Sequence, residues 1–233
     1  MSEEIVVGRA GAPAAAGHAV RIEVGAFGPW ETNGYLVWDG HSADALVLDP
    51  GMGAADPLMQ RVGAHGLRLH RIANSHGHID HIFDNGPLMQ ASDAPLAIHP
   101  DDEYRLSGVN NYGFEIEPVV ASEHLLDGEQ LRIGDLVFDI LHTPGHTEGS
   151  ICLYEERGAL LLSGDTLFPG GWGRTDLPGG DEEQMITSIA RLARSIASGV
   201  RVLPGHGPET TIDRELAWME KVAASGRLVL PGA

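Results

Sequence analysis

One cysteine and one lysine are all that the 233-residue chain contains of either. Cys152 therefore has no internal disulfide partner, and in the alternating run "SICLYE" it reads as a small buried hydrophobe. Lys221 is the single lysine; with arginine it makes 15 basic side chains against 33 acidic ones, a formal net charge of −18. Such a surface repels nucleic acid and anionic membrane, so neither is an expected partner, and the excess acid reads as a solvated face that keeps the protein soluble. No apolar run reaches the roughly 18 residues that a membrane span needs. Glu3 and Glu4 stand where a signal peptide would be basic, which makes the cytoplasm the expected compartment. No Gly/Ser-rich or Pro-rich linker interrupts a composition of 42% apolar and 21% charged residues, so residues 1–233 are expected to fold as one domain.

Short β-type runs at 20–24, 34–38 and 45–48 are separated by Gly, Pro, Asn and Asp, a meander of strands. Helical spacing follows over 56–64, with Pro57 in the first turn, and "LRLHRIANS" at 67–75 returns to strand character. Short helices are expected at 87–91 and 101–106 around a strand at 95–99. A hairpin turning at Gly134 and Asp135 spans 130–142, and strands follow at 151–154 and 159–162. After a glycine-rich loop, Asp181 caps an amphipathic helix with Met185, Ile189, Leu192 and Ile196 on one face; a strand at 200–203 and a helix at 213–223 complete the order. Two similar halves of strands and helices point to an α/β (α+β) chain folded as a four-layer αββα sandwich.

The chemistry concentrates in "SHGHIDH" at 75–81. Residues two apart in extended chain project to one side, so His76 and His78 aim at one point, and Gly77 between them leaves room for close approach. Asp80 and His81 follow where the chain turns. His146 comes after Pro144-Gly145, Asp165 directly after an apolar strand, and His206 after a strand and Pro204-Gly205. Any one of these histidines alone reads as a surface or hydrogen-bonded residue. Together they make the imidazole-rich, oxygen-containing set that zinc, iron or manganese accept. The other histidines read as solubility or packing residues; His142, just before a ligand loop, is a candidate for supporting that loop from behind.

These strings, "SHGHIDH", "HTPGHTEGS", "SGDTLF" and "PGHG", resemble in order and interval the metal-ligand motifs of the metallo-β-lactamase superfamily, with Ser75 where threonine is usual. The resemblance runs from about Asn33 to Thr211. It implies the αββα sandwich, with the site at the rim between its two sheets. Carried over residue by residue, it implies His76, His78 and His146 at one metal site, Asp80, His81 and His206 at a second, and Asp165 bridging them. Two divalent transition-metal ions are thereby implied, zinc first, with iron or manganese as alternatives.

Within the superfamily, "GRTDLPGGD" at 173–181 and "PGHGPETT" at 204–211 resemble the small glyoxalase II-like proteins, which are hydroxyacyl-thioester hydrolases. That resemblance implies a small-molecule thioester such as S-lactoylglutathione, cleaved by attack of a metal-bound hydroxide that Asp80 orients. A thiolate leaves readily, so no dedicated general acid is needed. Arg174 is the candidate to meet a substrate carboxylate, with an ion pair inside its own loop as the competing reading. Tyr112 and Trp172 are weaker candidates for lining the pocket, against ordinary packing. One further helix follows His206, without the C-terminal helical domain that helps full-length glyoxalase II hold glutathione, which leaves the thiol carrier open. The alternative is a persulfide dioxygenase with one iron on His76, His146 and Asp165; "PGHG" favours the hydrolase. Lactam cleavage ranks below both, because the lactam-cleaving branches generally lack a bridging carboxylate at the position of Asp165. Nuclease action is disfavoured by the −18 charge. A scaffold role is disfavoured by the cost of keeping an open metal site. No oligomeric state is read from the sequence.

Overall fold

Alternation of apolar side chains decides which layer covers each face of a strand, and here both faces of both sheets are covered. The computed structural model describes residues 3–7, 20–108 and 113–229. Strands β1 (Glu3–Val7), β2 (Val20–Phe27), β3 (Thr32–Trp38) and β4 (Asp44–Leu48) form an antiparallel meander. Helix α1 (Ala55–Ala64) crosses over to β5 (Arg68–Ala73), which lies parallel to β4. Helices α2 (Ile79–Ile82) and α3 (Asn85–Ser92) lead to β6 (Leu96–Ile98), a 3₁₀ segment (Pro100–Ser107) and β7 (Glu123–His124), completing a seven-stranded sheet in chain order. The second half opens with β8 (Gln130–Ile133), β9 (Leu136–His142), β10 (Ile151–Glu155) and β11 (Leu160–Gly164), all antiparallel. A small hairpin, β12 (Leu167–Phe168) and β13 (Gly171–Trp172), precedes α4 (Glu182–Ser195), β14 (Arg201–Pro204), β15 (Thr210–Thr211) and α5 (Ile212–Ser225). With β14 parallel to β11, the six-stranded sheet has the order β15-β14-β11-β10-β9-β8.

The period of two sorts the core. Tyr35 and Val37 of β3 and Ile151 and Leu153 of β10 face inward and meet between the sheets, together with the fully buried Phe138. The alternate residues Leu36 and Trp38 face outward onto Leu58 and Val62 of α1 and Leu88 of α3. On the far side Cys152, Leu161 and Val202 meet Met185, Ile189 and Leu192 of α4 and Trp218, Met219 and Val222 of α5. This is the αββα sandwich expected from the sequence. Each such fully buried large side chain contributes about 2–3 kcal/mol through removal of apolar surface from water. Cys152 is core as read, and burial pushes its thiol up to about 11. Asp181 caps α4 by accepting from the Gln184 amide at 2.9 Å.

Several elements depart from the sequence reading. The two-residue strands β7, β12, β13 and β15 carry no period to detect, and the stretch read as a helix at 101–106 winds as a 3₁₀ segment behind Pro100. Strand β1 was not anticipated. Tyr112 lies outside the described residues. Among the described residues, no helix is long and apolar enough to cross a membrane.

One buried ion cluster ties the first sheet to its helix layer. Glu23 of β2, 1% exposed, accepts from Arg61 of α1 and lies 2.6 Å from His65 Nε2. Burial alone would raise its pKa, but the hydrogen bonds from Arg61 and then His65 outweigh that and hold the carboxyl below its ordinary value of 4.5. A depressed folded-state pKa means that this stabilisation is present above the unfolded value and is lost as pH falls through the folded one. Glu23→Gln is therefore expected to lower stability by about 2 kcal/mol at pH 7, and the difference should shrink as pH falls below 4.5, read from urea melts across that range.

Candidate metal centre

All the chemistry sits at one rim, where strands of both sheets end at their carboxyl termini. The chain leaves β5 at Ala73 into Ser75 and His76, β9 at His142 toward His146, β11 at Gly164 into Asp165, and β14 at Pro204 toward His206. Backbone hydrogen bonds stitch the sheets together here, Ile151 N donating to Ser75 O at 2.8 Å and Asn33 N to Gly205 O at 2.7 Å, while Gly205 N to Gly164 O at 2.8 Å ties the ends of β14 and β11 within the second sheet. Gly205 is required by space, because a Cβ there would come within 2.1 Å of Asp165 Oδ1 and 2.7 Å of His81 Cε1. Side chains mounted on such a frame lose little entropy when they converge.

The rim brings together all seven side chains expected as ligands. His76, His78 and His146 form one group and Asp80, His81 and His206 another, while Asp165 joins His76 and His81 in a third; within each, the potential ligand atoms lie within 4.8 Å of one another. Asp165 stands between the two triads: Oδ2 is 3.3 Å from His146 Nε2 and 3.6 Å from His206 Nε2, and Oδ1 is 3.5 Å from His81 Nε2.

Hydrogen-bond partners fix which ring nitrogen faces inward. His146 Nδ1 lies 2.7 Å from the Arg174 carbonyl and His206 Nδ1 lies 2.9 Å from the Trp30 carbonyl; carbonyls only accept, so both Nδ1 atoms carry the proton. His81 Nδ1 faces Asp49 Oδ2 at 3.0 Å, which turns its Nε2 the same way. Ser75 Oγ spends its proton on Asp49 Oδ2 at 2.6 Å, so it accepts from His76 Nδ1 at 3.1 Å. The Nε2 atoms of His76, His81, His146 and His206 are thus aimed inward. His78 adds Nδ1, 2.8 Å from His146 Nε2 and 3.1 Å from His76 Nε2. Lone pairs and carboxylate oxygens so close repel unless positive charge lies among them. Asp165 Oδ1, buried and without a hydrogen-bond donor, is the clearest case, since an unpaired buried anionic oxygen costs several kcal/mol. The donor set fits divalent transition-metal cations.

Titration points the same way. Burial, and then the neighbouring imidazoles, hold His76 well below its ordinary value and His78 down to about 3, so both present neutral lone pairs at pH 7. Burial would also lower His81, but Asp80, Asp165 and Asp49 outweigh it and lift it to about 10. The same imidazoles, against burial, keep Asp80 and Asp165 ionised. At the second triad the carboxylates therefore call for a cation, and a proton on His81 is what a metal ion would displace.

Three residues outside the motifs hold this arrangement, and sequence reasoning missed all of them. Asp49, at the end of β4 in the left-handed region (φ 55°), accepts from Ser75 N and Ser75 Oγ and faces His81, fixing two ligands at once. Thr32 Oγ1 donates to Asp80 Oδ2 at 2.9 Å. Asp102, fully buried in the 3₁₀ segment, accepts from Gly77 N at 2.6 Å, Thr147 Oγ1 at 2.7 Å and Gly149 N at 2.9 Å, clasping the loops of His76, His78 and His146 to one another. The space expected beside Gly77 is taken by Arg105, whose Cδ would lie 2.5 Å from an added Cβ.

Among the secondary candidates, Arg174 pairs through its guanidinium with Asp176 at 2.7 Å in a two-pronged contact, while its carbonyl orients His146. The competing reading, an ion pair within the loop, describes its side chain. His142 Nε2 donates to the Glu148 carbonyl at 2.8 Å, bracing the His146 loop as considered from the sequence. Its ring stacks on His99 at 4.0 Å. Trp172 packs against Trp218, 5.5 Å between ring centroids, in the outer helix layer.

The model of the metallo-beta-lactamase superfamily matches residues 27–206, which include all seven residues expected as ligands. The chain belongs to the metallo-β-lactamase superfamily. Among its superfamily relatives, the hydroxyacylglutathione hydrolase GloC of Haemophilus influenzae is 34% identical over 211 residues, covering 84% of this chain and 95% of GloC. The crystal structure of the BLEG-1 B3 metallo-β-lactamase superposes with a TM-score of 0.79 at 30% identity, over 86% of this chain and 99% of BLEG-1. That of TTHA1623, in a di-iron-bound form, gives a TM-score of 0.72 at 36% identity, over 82% of this chain and 94% of TTHA1623. A metallo-hydrolase of this superfamily is the activity class that site and relatives share.

Proposed function

We propose that this chain is a cytoplasmic thioester hydrolase of the glyoxalase II type, able to cleave hydroxyacyl thioesters such as S-lactoylglutathione with two divalent cations, zinc first among them, the preferred thiol carrier being a separate question. The observation that carries the reading is the inward convergence of five imidazoles on either side of Asp165, with Asp80 beside them. In this reading His76, His78 and His146 would hold one cation and Asp80, His81 and His206 the other, with Asp165 available to both. When bound, such a pair lowers the pKa of water toward about 7 and polarises an acyl oxygen. Asp80, braced by Thr32, orients the attacking water, and Asp49 keeps His76 and His81 presenting Nε2. The leaving thiolate is stable near neutral pH, so no side chain has to protonate it. The name of GloC supports the hydroxyacyl thioester as substrate.

Elemental analysis of purified protein should find two equivalents of transition metal, and the metal-replete protein should hydrolyse S-lactoylglutathione in a thiol-release assay. Dialysis against a chelator should remove the activity, and zinc, iron or manganese should restore it. No turnover of any thioester by metal-replete protein would reject the proposal. A single iron with sulfite produced from glutathione persulfide would put a dioxygenase in its place, and opening of a β-lactam alone would put a lactamase there.

A further inference from the structure

The two sides of the metal rim differ in chemistry. On the side of Asp80 and His206, three aromatic rings from separate segments form a ladder: Trp30 from the β2–β3 turn meets Phe114 edge to face at 5.1 Å, and Phe114 meets Phe83, at the end of α2, at 6.3 Å. Trp30 and Phe114 are each 37% exposed, whereas Trp38 and Trp218 are 4% exposed and Phe138 is fully buried. The ladder adjoins the site through the backbone: the Trp30 carbonyl holds His206, and Phe83 lies one helical turn beyond Asp80. Phe168 extends the apolar surroundings, its ring 6.5 Å from that of His206. Exposed aromatic surface gathered beside a reactive centre costs solvation and is the kind of wall that small-molecule sites use.

Charge decides what that wall accepts. Exposed Glu31 follows Trp30, and exposed Glu115 and Glu117 follow Phe114. On the opposite side of the rim Arg105 is engaged by Glu148 at 2.7 Å and by the Pro178 carbonyl, and Arg174 is engaged by Asp176. An anionic carrier would meet acids beside the ladder and neutralised guanidiniums across from it, within a chain of net charge −18. Resting on the thioester-hydrolase reading, we infer that Trp30, Phe83 and Phe114 form the substrate's apolar subsite, and that the preferred substrate class is uncharged thioesters bearing an aryl or alkyl group rather than thioesters of glutathione.

Four substrates that cross acetyl and phenylacetyl groups with N-acetylcysteamine and glutathione carriers test this. The uncharged phenylacetyl thioester should give the highest kcat/KM. In Trp30→Ala and, separately, Phe114→Ala, the ratio of phenylacetyl to acetyl kcat/KM on that carrier should fall about tenfold, mainly through KM. Titration calorimetry with S-(2-phenylethyl)-N-acetylcysteamine, a thioether that cannot be hydrolysed, reads the same subsite without turnover and should weaken about tenfold in both variants. A preference for glutathione thioesters, or equal losses for both acyl groups, would overturn the inference and leave thioester hydrolysis standing. Thioether binding that depends on both rings, with no thioester turned over, would uphold the subsite and reject the hydrolase.

Discussion

Asp80→Ala is expected to lower kcat for thioester hydrolysis by about 10²–10³-fold while the fold stays intact. Asp80 Oδ2 receives Thr32 Oγ1 at 2.9 Å and lies 3.2 Å from His206 Nε2 and 3.4 Å from His81 Nε2. Burial opposes its charge, yet His81, His206 and Thr32 hold the carboxyl far below its ordinary value, so it is ionised throughout the working range. Removing it takes one anionic oxygen from the second triad and leaves two imidazoles with only Asp165 in common. Metal content should accordingly fall from two equivalents toward one, measured by elemental analysis beside an unchanged far-ultraviolet dichroism spectrum. Thr32→Val, which removes the brace but keeps the ligand, should cost only about tenfold. Two retained metal equivalents together with undiminished turnover in Asp80→Ala would contradict the assignment.

The second large effect is expected in stability. Asp102→Ala leaves Gly77 N, Gly149 N and Thr147 Oγ1 without their acceptor in a fully buried place, and Arg105 without a carboxylate 3.4 Å away. Each stranded donor costs about 1–3 kcal/mol. With partial compensation between Thr147 and Ser150, whose hydroxyls lie 2.8 Å apart, the loss should come to about 3–5 kcal/mol. For a chain of this size that is a fall in Tm of roughly 10 °C. On the proposed ligand assignment, a metal at His78 and His146 should be the first lost on chelator titration, because their loops are what the carboxylate joins. Asp102→Asn retains one acceptor and should recover about half the stability. Thermal melting of both variants, with and without chelator, separates the structural share of the effect from the metal-dependent one.

Much of this was legible because the informative residues are neighbours in the chain or repeat with a simple period. His76, His78, Asp80 and His81 announce themselves within seven residues, and the inward Tyr35 and Val37 of β3 against the outward Leu36 and Trp38 reveal a strand covered on both faces. What escaped depends on long-range topology. Asp49 meets Ser75 across 26 residues, Asp102 meets Gly77 across 25, and Thr32 meets Asp80 across 48, and none stands in a pattern that distinguishes it from other acids or threonines. Arg174 stands out in the sequence by its charge, while its contact with His146 is made through a carbonyl oxygen, which every residue type possesses. The 3₁₀ segment from Pro100 was read as an ordinary helix, although it is this segment that carries Asp102 into the site.

That main-chain anchoring has an evolutionary corollary. His206 takes its aim from the carbonyl of residue 30 and His146 from that of residue 174, while the side chains at both places point to other business. Substitution at either position can therefore change the surface beside the centre and leave the imidazoles trained on the same spot. Surface and aim are separately heritable here, which gives a lineage built on this frame a way to vary one without rebuilding the other.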